Sequence, residues 1–390
     1  MSTKVLDIDM ENIPETITGL DGYQRLMVLV RINGRPVERL YLRVRGVDIP
    51  GSELRSAILQ NAGRTFWEFW LRKILSCPVD ENRTDQLPGV TIAICTRNRP
   101  DDLCRCLETF VRMAHDQEIL VVDSCSTGQE TGEVVQKFPV VHYVREDKPG
   151  LDRARNRALK EASNEIVAFI DDDATPSRDW VIALTKNFSN PIVGCVTGLT
   201  MPIELETKAQ ECFEEYCTFS RGFQYKVYDW STLHPLGAGR AGVGTNMALR
   251  RSALAQVGAF DEALDAGTPT FSGGETDMFS RLLAAGYQIV YEPRALNWHR
   301  HRRSWDELRR TIYGYGVGTY SFWTRKFLVD REWWVVWVAL RWFLIGQIPM
   351  LFRSLLRLHG APAIDLICLE LIGCLVGPMA YIKSRSAQST

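Results

Sequence analysis

What the 390-residue sequence lacks narrows its function early. Its 46 basic and 47 acidic side chains leave a formal charge of −1, so no bulk positive field points to a nucleic-acid partner. The opening residues MSTKVLDIDMENIPET are polar and acidic. Without a basic segment running into an apolar one, no secretory signal is expected. The ten cysteines include no C-x-x-C pair, and with no export signal they are expected as reduced thiols in a cytoplasmic protein. Cys95 and Cys195 lie in apolar runs, where a thiol behaves as a small hydrophobe. The glycine-rich run GAGRAGVGTNMALRRSAL (237–254) lacks G-x-x-x-x-G-K-[ST], so it is not a P-loop.

What is present divides into three regions. Residues 1–85 read as a small β+α module. Two β-rich runs flank the turn signal Asn33-Gly34-Arg35-Pro36, a helical pattern covers 52–75, and a polar linker follows at 78–89. Residues 86–305 alternate differently. Short β-branched runs at 90–95, 118–123, 140–144 and 165–171 are separated by helical patterns at 100–114, 128–137 and 150–162. That alternation predicts an α/β fold, a doubly wound and mostly parallel sheet whose ligands gather beyond the carboxyl ends of the strands. Residues 306–390 form an apolar helical region, with strongly apolar runs at 333–352 and 362–382. The expectation there is either a membrane surface or a buried helical pair, including a homo-oligomer interface.

The chemistry is expected at the strand ends. In VAFIDDDATP (167–176) three aspartates follow a buried strand, with no basic residue within four positions on either side of the cluster. Such a cluster needs a counter-charge, and Mg²⁺ or Mn²⁺ shared between carboxylates and substrate phosphates supplies one. Strand alternation puts Asp171 and Asp173 on one side and Asp172 on the other, so Asp172 is expected to tolerate change best. The rival reading is a solvated acidic turn. Thr96 and Asn98, where a helix begins, suit either an anionic phosphate or an N-cap. Asp123 suits a base or ribose, or else an Asx turn. Arg153, Arg155 and Arg157 open a helix where a diphosphate could be neutralised. Glu275 and Asp277 follow Gly273-Gly274 at a helix start, which suits either a general base or the helix dipole. His299 and His301 offer imidazole ligands, His299 being the candidate for the cation.

In this order and spacing the elements TRNRP, VVDSCST, GLDRARN, FIDDDATP, GTNMALRR, VGAFDE, GGETDMFSRLLAAGY and YEPRALNWHRHR resemble inverting family 2 glycosyltransferases of the GT-A fold, over roughly residues 88–305. The resemblance implies that Thr96, Arg97, Asn98 and Asp123 hold the base and ribose, with Arg155, Asn156, Asp171 and Asp172 beside the nucleotide. It implies a metal site of Asp171, Asp173 and His299, and a sugar and acceptor pocket at Gly244, Thr245 and Asn246. The family's E-D-x-D is GETD here. Aligned from MFSRL, Glu275 is the base; aligned from Gly273-Gly274, Asp277 is the contender. Glu275 is preferred.

The implied reaction transfers a sugar, with inversion and metal assistance, from a UDP-, dTDP- or GDP-linked donor to an acceptor hydroxyl. The acceptor is a glycan, a lipid-linked molecule or a small molecule, in bacterial envelope glycan or glycoconjugate synthesis. The expected location is cytoplasmic, at the inner face of the cell membrane. The rival functions are a nucleotidyltransferase or metal phosphohydrolase, and a non-catalytic scaffold of the same fold at the membrane.

Overall fold

The structure is a computed structural model that describes residues 2–44, 46–76, 87–113, 117–358 and 360–388. The expected boundary at 85/86, and most of the polar linker, lie outside the described residues.

The N-terminal module contains β1 (Thr3–Asp9), β2 (Thr16–Ile17), β3 (Arg25–Ile32), β4 (Arg35–Arg43), β5 (Ile49–Pro50), α1 (Gly51–Asn61) and α2 (Arg64–Ile74). β3 lies parallel to β1 and antiparallel to β4. The β3–β4 hairpin turns through Asn33 and Gly34, both at positive φ (51° and 71°), as a two-residue Asn-Gly turn demands. The helix expected over 52–75 is two helices. The break falls at Gly63, whose N–H donates to Glu38 Oε2 at 2.9 Å. A Cβ there would sit 2.7 Å from the same oxygen.

β3 is buried on both faces, and its alternation divides them. Leu26, Val28, Val30 and Ile32 pack with Leu54, Ile58 and Phe66 of the module. Met27 and Leu29 point the other way, into a cluster with Leu199, Met201, Tyr291 and Leu296 of the following region. Module and following region therefore share a core.

That region comprises β6 (Val90–Thr96), α3 (Pro100–Arg112), β7 (Glu118–Ser124), α4 (Glu130–Gln136), β8 (Val141–Glu146), α5 (Leu151–Glu161), β9 (Ile166–Asp171), β10 (Ala174–Pro176), α6 (Trp180–Thr185), β11 (Val193–Pro202), α7 (Lys208–Cys217), β12 (Lys226–Tyr228), β13 (Asn246–Arg250), α8 (Arg251–Val257), α9 (Gly274–Ala284) and β14 (Gln288–His299). The four expected strands and three expected helices are present, their ends moved by a few residues. One sheet of nine strands runs β10-β14-β11-β13-β9-β6-β7-β8, with β12 beside β14. β6, β7, β8, β9, β11 and β14 run one way, and β10, β12 and β13 run against them. One face is covered by Leu103, Leu107 and Phe110 of α3 and Trp180 and Leu184 of α6. The other is covered by Ala154 and Ala158 of α5 and Met278 and Leu282 of α9. The sheet is mostly parallel and doubly wound, as expected.

The C-terminal region is helical: α10 (Trp305–Leu328), α11 (Val335–Arg341), α12 (Ile348–Leu355) and α13 (Ile364–Ser386). A π-helical turn at Trp342–Gln347 joins α11 to α12. By length and composition Trp334–Leu355 and Ile364–Ser386 are each able to cross a membrane, at mean hydropathy 1.7. Their surroundings differ. α13 packs on α10 through glycines, since a Cβ on Gly316 would lie 2.2 Å from Glu370 O and one on Gly373 2.3 Å from Tyr313 O. Trp334–Leu355 instead leaves Trp334, Trp337, Leu344 and Ile345 exposed.

Because the α10–α13 contact is backbone against backbone, a larger side chain has nowhere to go. Gly373→Val is expected to force the helices apart and lower stability by about 1–3 kcal/mol. A fall in the urea midpoint at unchanged slope checks this.

Candidate active site

Register brings the acidic cluster to its partners. β9 ends at Asp171, and β10 then pairs antiparallel with β14 so that Ala174 faces His299. The Asp173 carbonyl accepts from Arg300 N at 3.0 Å. One ligand atom from each of Asp171, Asp173 and His299 then lies within 4.8 Å of the other two. His299 Nε2 approaches Asp173 Oδ1 at 3.1 Å, yet that oxygen is buried with no aligned hydrogen bond. Two carboxylates and an imidazole converging on a buried, unsatisfied oxygen fit a divalent cation.

The cluster is not short of positive charge. Arg99 Nη1 lies 3.2 Å from Asp172 Oδ1 and 3.1 Å from Asp173 Oδ2, and Arg302 Nη1 lies 3.4 Å from Asp173 Oδ2. These cations come from elsewhere in the chain, so the local sequence hid them. Burial works against the Asp173 charge, but His299, Arg302 and Arg99 outweigh it and hold its pKa well below the carboxylate range. Burial opposes the His299 imidazolium too, and Asp173 outweighs that in turn, so its pKa lies above the ordinary value. Asp171 is raised by burial and by the neighbouring Asp173.

Asp172 corrects an expectation. Its side chain is turned into the protein and shares Arg99 Nη1 with Asp173. It is 4% exposed, accepts from Thr96 Oγ1 at 2.7 Å and pairs with Arg99. Burial and Asp173 push it up to about 7. It is an embedded residue rather than a tolerant one.

The β6 and β7 ends meet as expected of a crevice, with their polar groups partly engaged by each other. Arg97 and Asn98 are exposed. Asn98 has φ 55°; its N–H donates to Ser126 Oγ at 2.9 Å and its Oδ1 accepts from Thr127 N at 2.8 Å. Asp123 is buried and forms the Asx turn, accepting from Ser126 N at 2.9 Å and from the Tyr143 hydroxyl at 2.9 Å.

A cavity of about 670 Å³ opens beside the acidic cluster, lined by Asp171, Arg155, Gly244, Thr245, Asp265 and Glu275. Arg155 Nη1 bridges Asp152 Oδ1 at 2.9 Å and Asp265 Oδ2 at 2.7 Å. A Cβ at Gly244 would lie 2.6 Å from Arg155 Nη2, so any larger residue there displaces the guanidinium. Two residues expected in this neighbourhood are turned to other tasks. Asn156 donates to Phe260 O and accepts from Phe260 N, clamping a loop. Asn246 donates to Leu199 O and Ala295 O and accepts from Trp180 Nε1. Both of its N–H donors are spent on core carbonyls and the side chain is fully buried, so it presents no donor to the cavity.

Geometry separates the two carboxylates of GETD. Gly273, at φ 111°, turns the chain into α9, and Glu275 lines the cavity. Burial and the neighbouring Asp265 push Glu275 up to about 7. Asp277, two residues on and so on the opposite side of the helix, is fully buried and paired with Arg281 and Arg325, both at 2.8 Å. It ties α9 to α10 and does not line the cavity. Sequence reasoning missed Asp152, Asp265, Arg99 and Arg302. Arg99 adjoins Asn98 and was within reach, whereas Asp265 sits in a loop with no motif.

Residues 91–258 match the profile described as Glycosyl transferase family 2. That segment is a family 2 glycosyltransferase domain. It contains Thr96, Asp123, Arg155, the three aspartates and Gly244, while Glu275 and His299 lie beyond it. The chain is 30% identical over 233 residues to a pre-mycofactocin glycosyltransferase of Mycobacterium tuberculosis, covering 58% of this chain and 46% of that protein. It is 24% identical over 277 residues to the glycosyltransferase AglE of Haloferax volcanii, covering 68% of this chain and 83% of that one. The chain thus spans less than half of the mycobacterial relative. A mannosyltransferase, PcManGT from Pyrobaculum calidifontis, solved with GDP-Man and Mn²⁺, superposes at TM-score 0.49 and 18% identity, covering 83% of this chain and 93% of that one.

Within the glycosyltransferase domain Arg155 holds two buried carboxylates. Burial and Asp265 already raise Asp152. Arg155→Met is expected to lose about 3–5 kcal/mol of stability at neutral pH, because the acids it leaves are uncompensated. Chemical denaturation with far-UV circular dichroism reads the change.

Proposed function

We propose that the chain is an inverting, cation-assisted glycosyltransferase that moves a sugar from a UDP-, dTDP- or GDP-linked donor to an acceptor hydroxyl. The observation that carries this reading is Glu275, a carboxylate pushed up to about 7 in the same cavity as Asp171, which forms the trio with Asp173 and His299. Glu275 takes the acceptor proton as the acceptor oxygen attacks the anomeric carbon. The bond to the diphosphate breaks on the opposite face, its electron pair leaves with the nucleotide, and configuration inverts. Mg²⁺ or Mn²⁺ held by Asp171, Asp173 and His299 supplies, when bound, positive charge against the departing diphosphate. Arg302, which lines an adjoining cavity with His299, adds a fixed cation on that side. A triphosphate-handling nucleotidyltransferase is disfavoured, since no lysine lines either cavity among the described residues.

Glu275→Gln is expected to lower kcat about 10²–10⁴-fold, while Asp277→Asn should act mainly on stability. The reverse pattern would make Asp277 the base. In the unsubstituted enzyme kcat/KM should fall as pH drops below about 7, where Glu275 becomes protonated. The stability sign is opposite. A carboxyl whose folded pKa exceeds its unfolded value (about 4.3) contributes stability that is full below that value and lost as pH rises through about 7. Glu275→Gln should therefore unfold later than the parent at pH 8. Transfer should also stop in EDTA; full activity there would remove the cation from the reading.

The acceptor is proposed to be amphiphilic and to be met at a membrane surface. The cavity that holds Glu275 is also walled by Phe322, Trp323 and Trp342, and Trp342 belongs to the apolar segment that exposes Leu344 and Ile345. Leu344→Asp with Ile345→Asp should abolish flotation with phospholipid vesicles. Unchanged flotation would place the membrane contact elsewhere.

A further inference from the structure

Behind His299 runs a line of buried polar groups that the transfer step does not use. His301 brings Nδ1 to 3.3 Å from His299 Nδ1, and its Nε2 lies 3.0 Å from Glu214 Oε2 on α7. The other oxygen of Glu214 accepts from Thr218 Oγ1 at 2.7 Å and pairs with Arg39 of β4. His299, His301 and Glu214 are all less than a tenth exposed. The rings of Phe213, centred 4.5 Å from that of His301, and Phe219, centred 5.2 Å from that of His299, pack against them at the wall of the adjoining cavity.

Hydrogen-bond direction follows from the outer end inward. An ionised carboxylate only accepts, so His301 donates from Nε2. The lone pair of a neutral His301 is then on Nδ1, which can only accept, and the donor is His299 Nδ1–H. Without a cation, Asp173 favours a proton on His299 Nε2. When a cation takes the place of that proton, the Nδ1–H stays on His301 and the Nε2 lone pair faces Asp171 and Asp173, the orientation a ligand needs.

We propose that Glu214 and His301 are positioning residues for the cation site, fixing the ring and the Nδ1–H tautomer of His299, and that Arg39 anchors the chain's outer end. The inference rests on the cation-assisted reading above. It also gives the N-terminal module a task, since Arg39 is its contribution to a site otherwise built from the sheet behind it.

The test uses the full chain with Mn²⁺ alone, titrated by calorimetry. The unsubstituted chain should bind, and Glu214→Ala and His301→Leu should each bind about 10–100-fold more weakly. Glu214→Gln, which still offers His301 an oxygen, should recover most of the affinity. In the Mg²⁺-loaded, ¹⁵N-histidine-labelled chain, His299 should carry its proton on Nδ1. Undiminished Mn²⁺ affinity in both the Glu214→Ala and His301→Leu variants, or a proton on His299 Nε2 of the Mg²⁺-loaded chain, overturns the relay alone. No Mn²⁺ binding by the unsubstituted chain overturns the cation reading on which the relay stands. Should the two variants fail to fold, the tautomer in the Mg²⁺-loaded, unsubstituted chain decides.

Discussion

Asp173 is buried where the turn after β9 crosses the end of β14, and its carboxylate gathers Arg99, Arg302 and His299 around one point. Arg99 follows β6, while His299 ends β14 and Arg302 follows it, so the ion cluster ties the first βα turn, the acidic turn and the last strand together. A lone buried carboxylate would be severely destabilising, and three cationic partners make its burial tolerable. The arrangement also leaves one Asp173 oxygen unsatisfied beside an imidazole and a second carboxylate. The same electrostatic junction therefore serves the fold and presents a place for a cation.

Around that junction the protein divides its polar residues between architecture and chemistry. Asn246 satisfies two carbonyls where β11 and β14 shift register, and Asp277 joins α9 to α10 through Arg325, with Arg281 of α9 on its other oxygen. Both belong to motifs that also contain cavity residues, Gly244 in one case and Glu275 in the other. The division tracks the cavity wall. Glu275 and Gly244 face it, whereas Asp277 and Asn246 are fully buried and held by partners within the protein.

The alternation of short apolar strands with helical patterns made the doubly wound sheet legible, because buried parallel strands need near-continuous apolar runs. The Asn-Gly hairpin was legible for a similarly local reason. The single helix expected over 52–75 was not, since its break at Gly63 depends on Glu38 from another strand. The tolerance expected of Asp172 failed because alternation tells which way a side chain points but not what lies there. Family membership of residues 91–258 agreed with the motif order, yet motif order could not choose between Glu275 and Asp277.

By itself the sequence determined the fold class, the strand-end placement of the chemistry and the acidic cluster, all consequences of local periodicity and residue type. Only the tertiary structure decided which carboxylate faces the cavity, which cations balance the aspartates and how His299 is held. Those depend on pairs such as Arg99 with Asp173 and Glu214 with His301. Their partners lie 74 and 87 positions apart in the chain, and no local pattern encodes a contact at that separation.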